Sequence, residues 1–114
     1  DASLRAALAE IEAAPADAMI LVACHHPMVE GGTAMHSRTR GGMAALEALG
    51  RAGAHAVLSG HVHDTFDLPV PAAGSTLRLI GAGTLSERVR ETRPSFNELR
   101  IEGQALETRV HAMD

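Results

Sequence analysis

GMAALEALGRAGAHAVLSGHVH, residues 42–63, is the stretch that decides how this chain folds. Its first half repeats apolar residues at Met43, Leu46 and Leu49, the spacing of a helix that buries one stripe. Gly50 and Gly53 suit the exit from such a helix. The second half changes period: HAVLS at 55–59 is a short, continuous apolar run, which fits a strand buried on both faces. Upstream, AMILVAC at 18–24 is a run of the same kind, and the intervening HPMVEGGTAMHSRTR, 26–40, holds a proline, two glycines and no sustained period. It reads as a long loop. Strand, loop, helix, strand is the βαβ pattern of a parallel pair, so both strands should end on one edge of a sheet.

Working outward, Ser3 is placed to cap a helix over about 3–14, with Leu4, Leu8 and Ile11 on one face and Pro15 as its stop. Beyond residue 64 the character changes. Short segments near 65–70, 76–82, 95–101 and 105–112 are separated by turn signals at 71–75 and 102–103, the signature of antiparallel strands and hairpins. There is no internal repeat and no low-complexity tract.

At 114 residues this is one domain at most, and its hydrophobic and charged fractions, 46% and 21%, are those of an ordinary globular chain. No apolar run approaches the roughly 20 residues of a membrane helix. A net charge of −4 and only two aromatic residues, Phe66 and Phe96, argue against nucleic acid as a partner. The single cysteine, Cys24, rules out an internal disulfide framework, and we expect a reducing, cytoplasmic setting. All ten basic residues are arginine and alanine abounds, which points to a GC-rich, bacterial coding sequence. The chain opens at Asp1 directly into a helical pattern, so we expect a piece of a longer protein.

The chemistry gathers where the strands end. Ligands of open α/β sheets sit outside the carboxyl ends of the strands, and His25, His61 and His63 all follow such ends. In an extended segment His61 and His63 project to one side, with Val62 pointing the other way. Neutral imidazoles on one side of a strand end suit a divalent metal ion. The competing reading, of surface or satisfied core histidines, is weakened by the third strand-end histidine.

CHHP at 24–27 and SGHVH at 59–63, followed by GAGT at 81–84 and RPSFN at 93–97, resemble the C-terminal half of a calcineurin-like metallophosphoesterase. The resemblance spans nearly the whole chain and rests mainly on the paired HHP and GHxH elements. It implies an α/β fold, a βαβ unit followed by antiparallel strands within a four-layer α/β/β/α sandwich. It also implies metal-dependent hydrolysis of a phosphoester by a centre of two transition-metal ions, manganese, iron or zinc. On that pattern His25 and His61 would ligate one metal and His63 the other, with His26 a neighbour that points elsewhere or helps orient a ligand.

His36, eleven positions after His25, is the candidate for contact with a phosphoryl oxygen or the leaving group, against the plainer reading of a solvated loop histidine. Arg38 and Arg40 are candidates for clamping the substrate phosphate. Asp64 is a candidate for supporting His63. Arg88, Arg90 and Arg93 read as a solvated or contact face, Cys24 as a small packed hydrophobe, and His55 and His111 as structural or exposed.

The family's N-terminal half supplies Asp-x-His, Gly-Asp and Gly-Asn-His elements, including the carboxylate that bridges the metals. None is present here: the aspartates are Asp1, Asp17, Asp64, Asp67 and Asp114, and the one asparagine is Asn97. The expected partners are therefore a phosphoester substrate and the missing N-terminal half, with self-association through an exposed sheet edge. The isolated chain is expected to be inactive, and a catalytically inactive module that binds one metal ion or a protein partner is the alternative reading.

Overall fold

The structure is a computed structural model and describes residues 2–28, 41–60, 65–85 and 93–113. Helix α1, Ala2–Ala13, and helix α2, Gly42–Ala52, lie on one side of a four-stranded sheet. That sheet comprises β1 (Leu21–Cys24), β2 (Ala56–Ser59), β3 (Phe66–Ala72) and β4 (Ser75–Gly81), in the order β1-β2-β4-β3. A hairpin of β5 (Ser95–Glu102) and β6 (Ala105–Ala112) forms a second, antiparallel sheet. The fold is thus mixed α/β, with one parallel/antiparallel sheet and a separate antiparallel one.

The βαβ expectation is met: β1 pairs parallel with β2, Leu21 to Ala56 through Cys24 to Ser59. The expectation that the later segments form antiparallel hairpins holds for β3 with β4 and for β5 with β6. It misses the second role of β4, which also runs parallel to β2. Nor is β1 buried on both faces. It is an edge strand of the sheet, half-buried, with Ala23 exposed. Residues 18–20 stay outside it because the chain turns after Pro15, whose carbonyl accepts from the Ala18 N–H at 3.0 Å.

Register assigns the faces. Val22, Val57 and Leu79 stand in one cross-strand row toward the helices, where Leu46, Leu49 and Leu77 are fully buried. Each such leucine contributes about 1.5–3 kcal/mol by leaving water. Ala23, Leu58 and Ile80 form the opposite row, toward the hairpin.

Met43, expected on the buried stripe of α2, is instead 49% exposed. The helix turns Gly42 and Gly50 inward, and at Gly50 an added Cβ would sit 2.9 Å from the Ala72 carbonyl oxygen. The helix therefore passes through Gly50, and Gly53, at φ 107°, is the residue that ends it. Likewise Ser3 lies inside the first turn of α1 rather than before it.

Arg78, in the row beside Ala56, ties the two sheets together. Its guanidinium donates to both Asp67 carboxylate oxygens, at 3.1 and 2.5 Å, to the Leu106 carbonyl and to Thr108 Oγ1 at 3.2 Å. Those bonds to Asp67 raise its pKa further still, against a smaller opposing effect of burial. The hairpin's other face is a charge ladder, with Glu98 opposite Arg109 and Arg100 opposite Glu107, the pattern of a surface in water. Among the described residues the layers number three: helices, sheet, hairpin. No helix among the described residues is long and apolar enough to cross a membrane.

Candidate metal centre at the strand ends

The carboxyl edge of the four-stranded sheet continues past the strands as a backbone ladder. The Gly60 N–H donates to the His25 carbonyl at 3.0 Å, and the Ala82 N–H to the Ser59 carbonyl at 2.9 Å. His25, Gly60 and Ala82 are therefore side by side on one edge, and His61 follows Gly60 in the sequence. His61, His63, His36, Arg38, Arg40 and Asp64 lie outside the described residues, as do Arg88 and Arg90.

His25 is exposed, with the ring of His26 edge-on to it at 4.6 Å between centroids and 90° between planes. The Cys24 thiol donates to the His26 carbonyl at 3.2 Å. Burial pushes that thiol's pKa up, which keeps the proton needed for the bond. Cys24 also packs against the core, as expected of a small hydrophobe. Pro27 is buried and Met28 half-buried, and α2 starts directly on the Met28 backbone: a Cβ on Gly42 would overlap the Met28 carbonyl. The HHP turn is therefore held from below by the core and from the side by the helix.

The two histidines read as structural or exposed, His55 and His111, sit away from this edge. His55 precedes β2 at the opposite end, its Nδ1 accepting from the Ile20 N–H at 3.0 Å, so its ring proton is on Nε2. His111 lies on the outer face of β6, stacked on Phe96 at 4.9 Å and 3.2 Å from Glu98. Arg93 is exposed.

As a donor set, three imidazoles suit a first-row transition ion rather than magnesium or calcium. A bridged pair needs a carboxylate as well. The two described aspartates are elsewhere: Asp67 is held by Arg78, and Asp17 precedes β1 at the amino end of the sheet. Among the described residues no three His, Cys, Asp or Glu side chains are placed to hold a metal ion. Among the described residues no Asp or Glu side chain joins His25 in a group that could hold a metal ion.

Two residues were given no role by the sequence reading. Arg78 was one, although a lone arginine inside the apolar run LRLI is the kind of residue that must find partners when its strand is covered. Asn97 was the other. Its Nδ2 donates to the Gly81 carbonyl at 3.1 Å, while its buried Oδ1 has no partner among the described residues. No family model matches the chain, and no curated protein matches it either.

Proposed function

We propose that this chain is the histidine-bearing half of a calcineurin-like metallophosphoesterase domain and hydrolyses phosphoesters once the carboxylate ligands are supplied. The observation that carries the reading is the Gly60 to His25 hydrogen bond. It sets His25 beside Gly60, the residue that opens the GHxH element, at the carboxyl edge of a parallel pair, where α/β proteins bind ligands.

Two metal ions, manganese, iron or zinc, would polarise the phosphoryl group and lower the pKa of a bound water. His25 and His61 would hold one ion and His63 the other, through neutral ring nitrogens. His36 would face the leaving group, and Arg38 and Arg40 would brace the phosphate oxygens by paired N–H donors. His26 would orient its neighbour by the edge-on ring contact.

The missing half also has a place to go. Two hairpin strands face four, and Ala23 on the hairpin-facing side of the sheet is exposed, as are Ile101 and Val110 on the hairpin's inner face. Strands laid there would widen both sheets, and helices over the second would complete a four-layer sandwich.

Replacing His61 with alanine in a protein that carries both halves should lower bound metal from two ions toward one and reduce phosphoester hydrolysis at least a hundredfold. Metal analysis and an aryl phosphate assay measure both. Full turnover with the fold intact would refute the ligand assignment. The alternative, an inactive module holding one ion, draws on the lack of a described carboxylate at the edge. It requires one ion per chain and no turnover in the complete protein.

A further inference from the structure

We infer that His55 is a proton-sensitive latch on the start of β1: with Nδ1 bare it holds Ile20, and with Nδ1 protonated it lets go of the segment that joins α1 to the sheet. Two bonds tie the pair. The His55 backbone N–H donates to the Ile20 carbonyl at 2.9 Å, and the Ile20 N–H donates to the ring Nδ1 at 3.0 Å. The second bond needs a lone pair, which Nδ1 offers only while it carries no proton. A proton there sets two donors face to face, so proton uptake and the bond exclude each other.

The latched segment, residues 14–20, is lightly held. Besides His55, Gln104 reaches it, its Nε2 donating to the Asp17 carbonyl at 2.8 Å. The helix before it, α1, has no fully buried residue and meets the core through half-buried Leu4, Leu8 and Ile11, and Ile20 is itself half-buried. Losing one amide bond therefore opens this segment sooner than it opens α2, where Leu46 and Leu49 are fully buried.

The charges around the ring do not oppose the release or force it. His55 borders a cleft of about 430 Å³ with Ala54, which follows α2, with Thr76 and Arg78 of β4, and with Gln104 at the hairpin turn. Among the described residues no carboxylate lines that cleft, and its one other ionisable side chain, Arg78, is matched by Asp67 on β3. Arg51 at the end of α2, Asp17 before β1 and Glu102 at the end of β5 are exposed, so solvent and salt screen them. The latch is thus closed at neutral pH and opens as imidazole titrates in mild acid, above the range of ordinary carboxylates. It lies at the amino end of the sheet, so the inference is independent of the metal reading.

Amide exchange on the ¹⁵N-labelled chain reads the latch directly. The protection factor of Ile20 should fall about tenfold between about pH 7.5 and about pH 5, the effect of one net hydrogen bond, while Leu46, Leu49 and Leu77 keep theirs. Ring ¹⁵N shifts should show Nδ1 unprotonated at the upper pH. His55→Asn, which sets a non-titrating Oδ1 acceptor near the place of Nδ1, should keep Ile20 protected at both. The wild-type measurements decide the matter even where that variant fails to fold. Equal protection of Ile20 at both pH values, a fall shared by the core leucines, a ring protonated on Nδ1 at the upper pH, or an undiminished acid response in His55→Asn would overturn the inference.

Discussion

A methyl group at Gly42 would run into the Met28 carbonyl, and neither side can yield easily, because both atoms belong to backbone. Gly42→Ala should therefore force α2 away from the HHP turn and cost about 1–3 kcal/mol, the usual penalty for overpacking, read as a lower urea midpoint. The adjacent Gly41 is a useful control at φ 70°, since an added Cβ meets nothing there and only backbone strain is felt. A second residue-scale effect concerns acid. The hydrogen bond from His111 holds the Glu98 carboxyl below its ordinary pKa, helped by the nearby charges of Arg100, His111 and Arg109. A carboxyl whose folded pKa is depressed adds stability above its unfolded value, about pH 4.3, and that stability drains away as pH falls through the folded value. Thermal melts of wild type and Glu98→Gln should accordingly converge below about pH 4 and separate above it, wild type being the more stable.

The β3–β4 hairpin turns through Ala73 and Gly74, both at positive φ, 51° and 84°, the type I′ pattern that matches strand twist. Alanine pays about 1–2 kcal/mol for that backbone, and asparagine less. Ala73→Asn, which makes an Asn-Gly turn, should raise the melting temperature by a few degrees; no change would mean the strain is absorbed elsewhere. This turn shows what the sequence discloses and what it withholds. The signal PAAGS at 71–75 located it, as apolar runs and punctuation located every strand, because those cues act between near neighbours. The same cues led to parallel ends for β1 and β2, and so to His25 and Gly60 on one edge. What they did not disclose is set by contacts between distant residues. The place of β4 between β2 and β3, the inward turn of Gly50 onto Ala72 and the reach of Arg78 to Leu106 and Thr108 depend on packing that no local period encodes. The site was legible as histidines at strand ends. Of these the structure describes His25 beside Gly60, while His61 and His63 lie outside the described residues.

Across the whole molecule the two margins of the four-stranded sheet are built differently. Ala72 and Ser75 flank a two-residue turn and form a hydrogen-bonded pair, so Pro69 and Pro71 fall at alternate positions where an N–H would point outward. β3 therefore lacks two of the donors that a further strand would need. β1 has no such protection: Leu21, Val22, Ala23 and Cys24 carry neither charge nor proline, and a cleft of about 440 Å³ runs between it and α1. The chain should associate through β1 at micromolar concentrations, and Ala23→Lys should shift its size-exclusion profile toward monomer. An unchanged profile would place the contact elsewhere. The asymmetry also limits how far such association goes. Two copies joined β1 to β1 about a two-fold axis use up the one receptive margin on each, and both outer borders of the merged eight-stranded sheet are then proline-bearing. Recruitment through this sheet stops at a pair, so a concentrated preparation of the chain should yield discrete dimers and not fibrils.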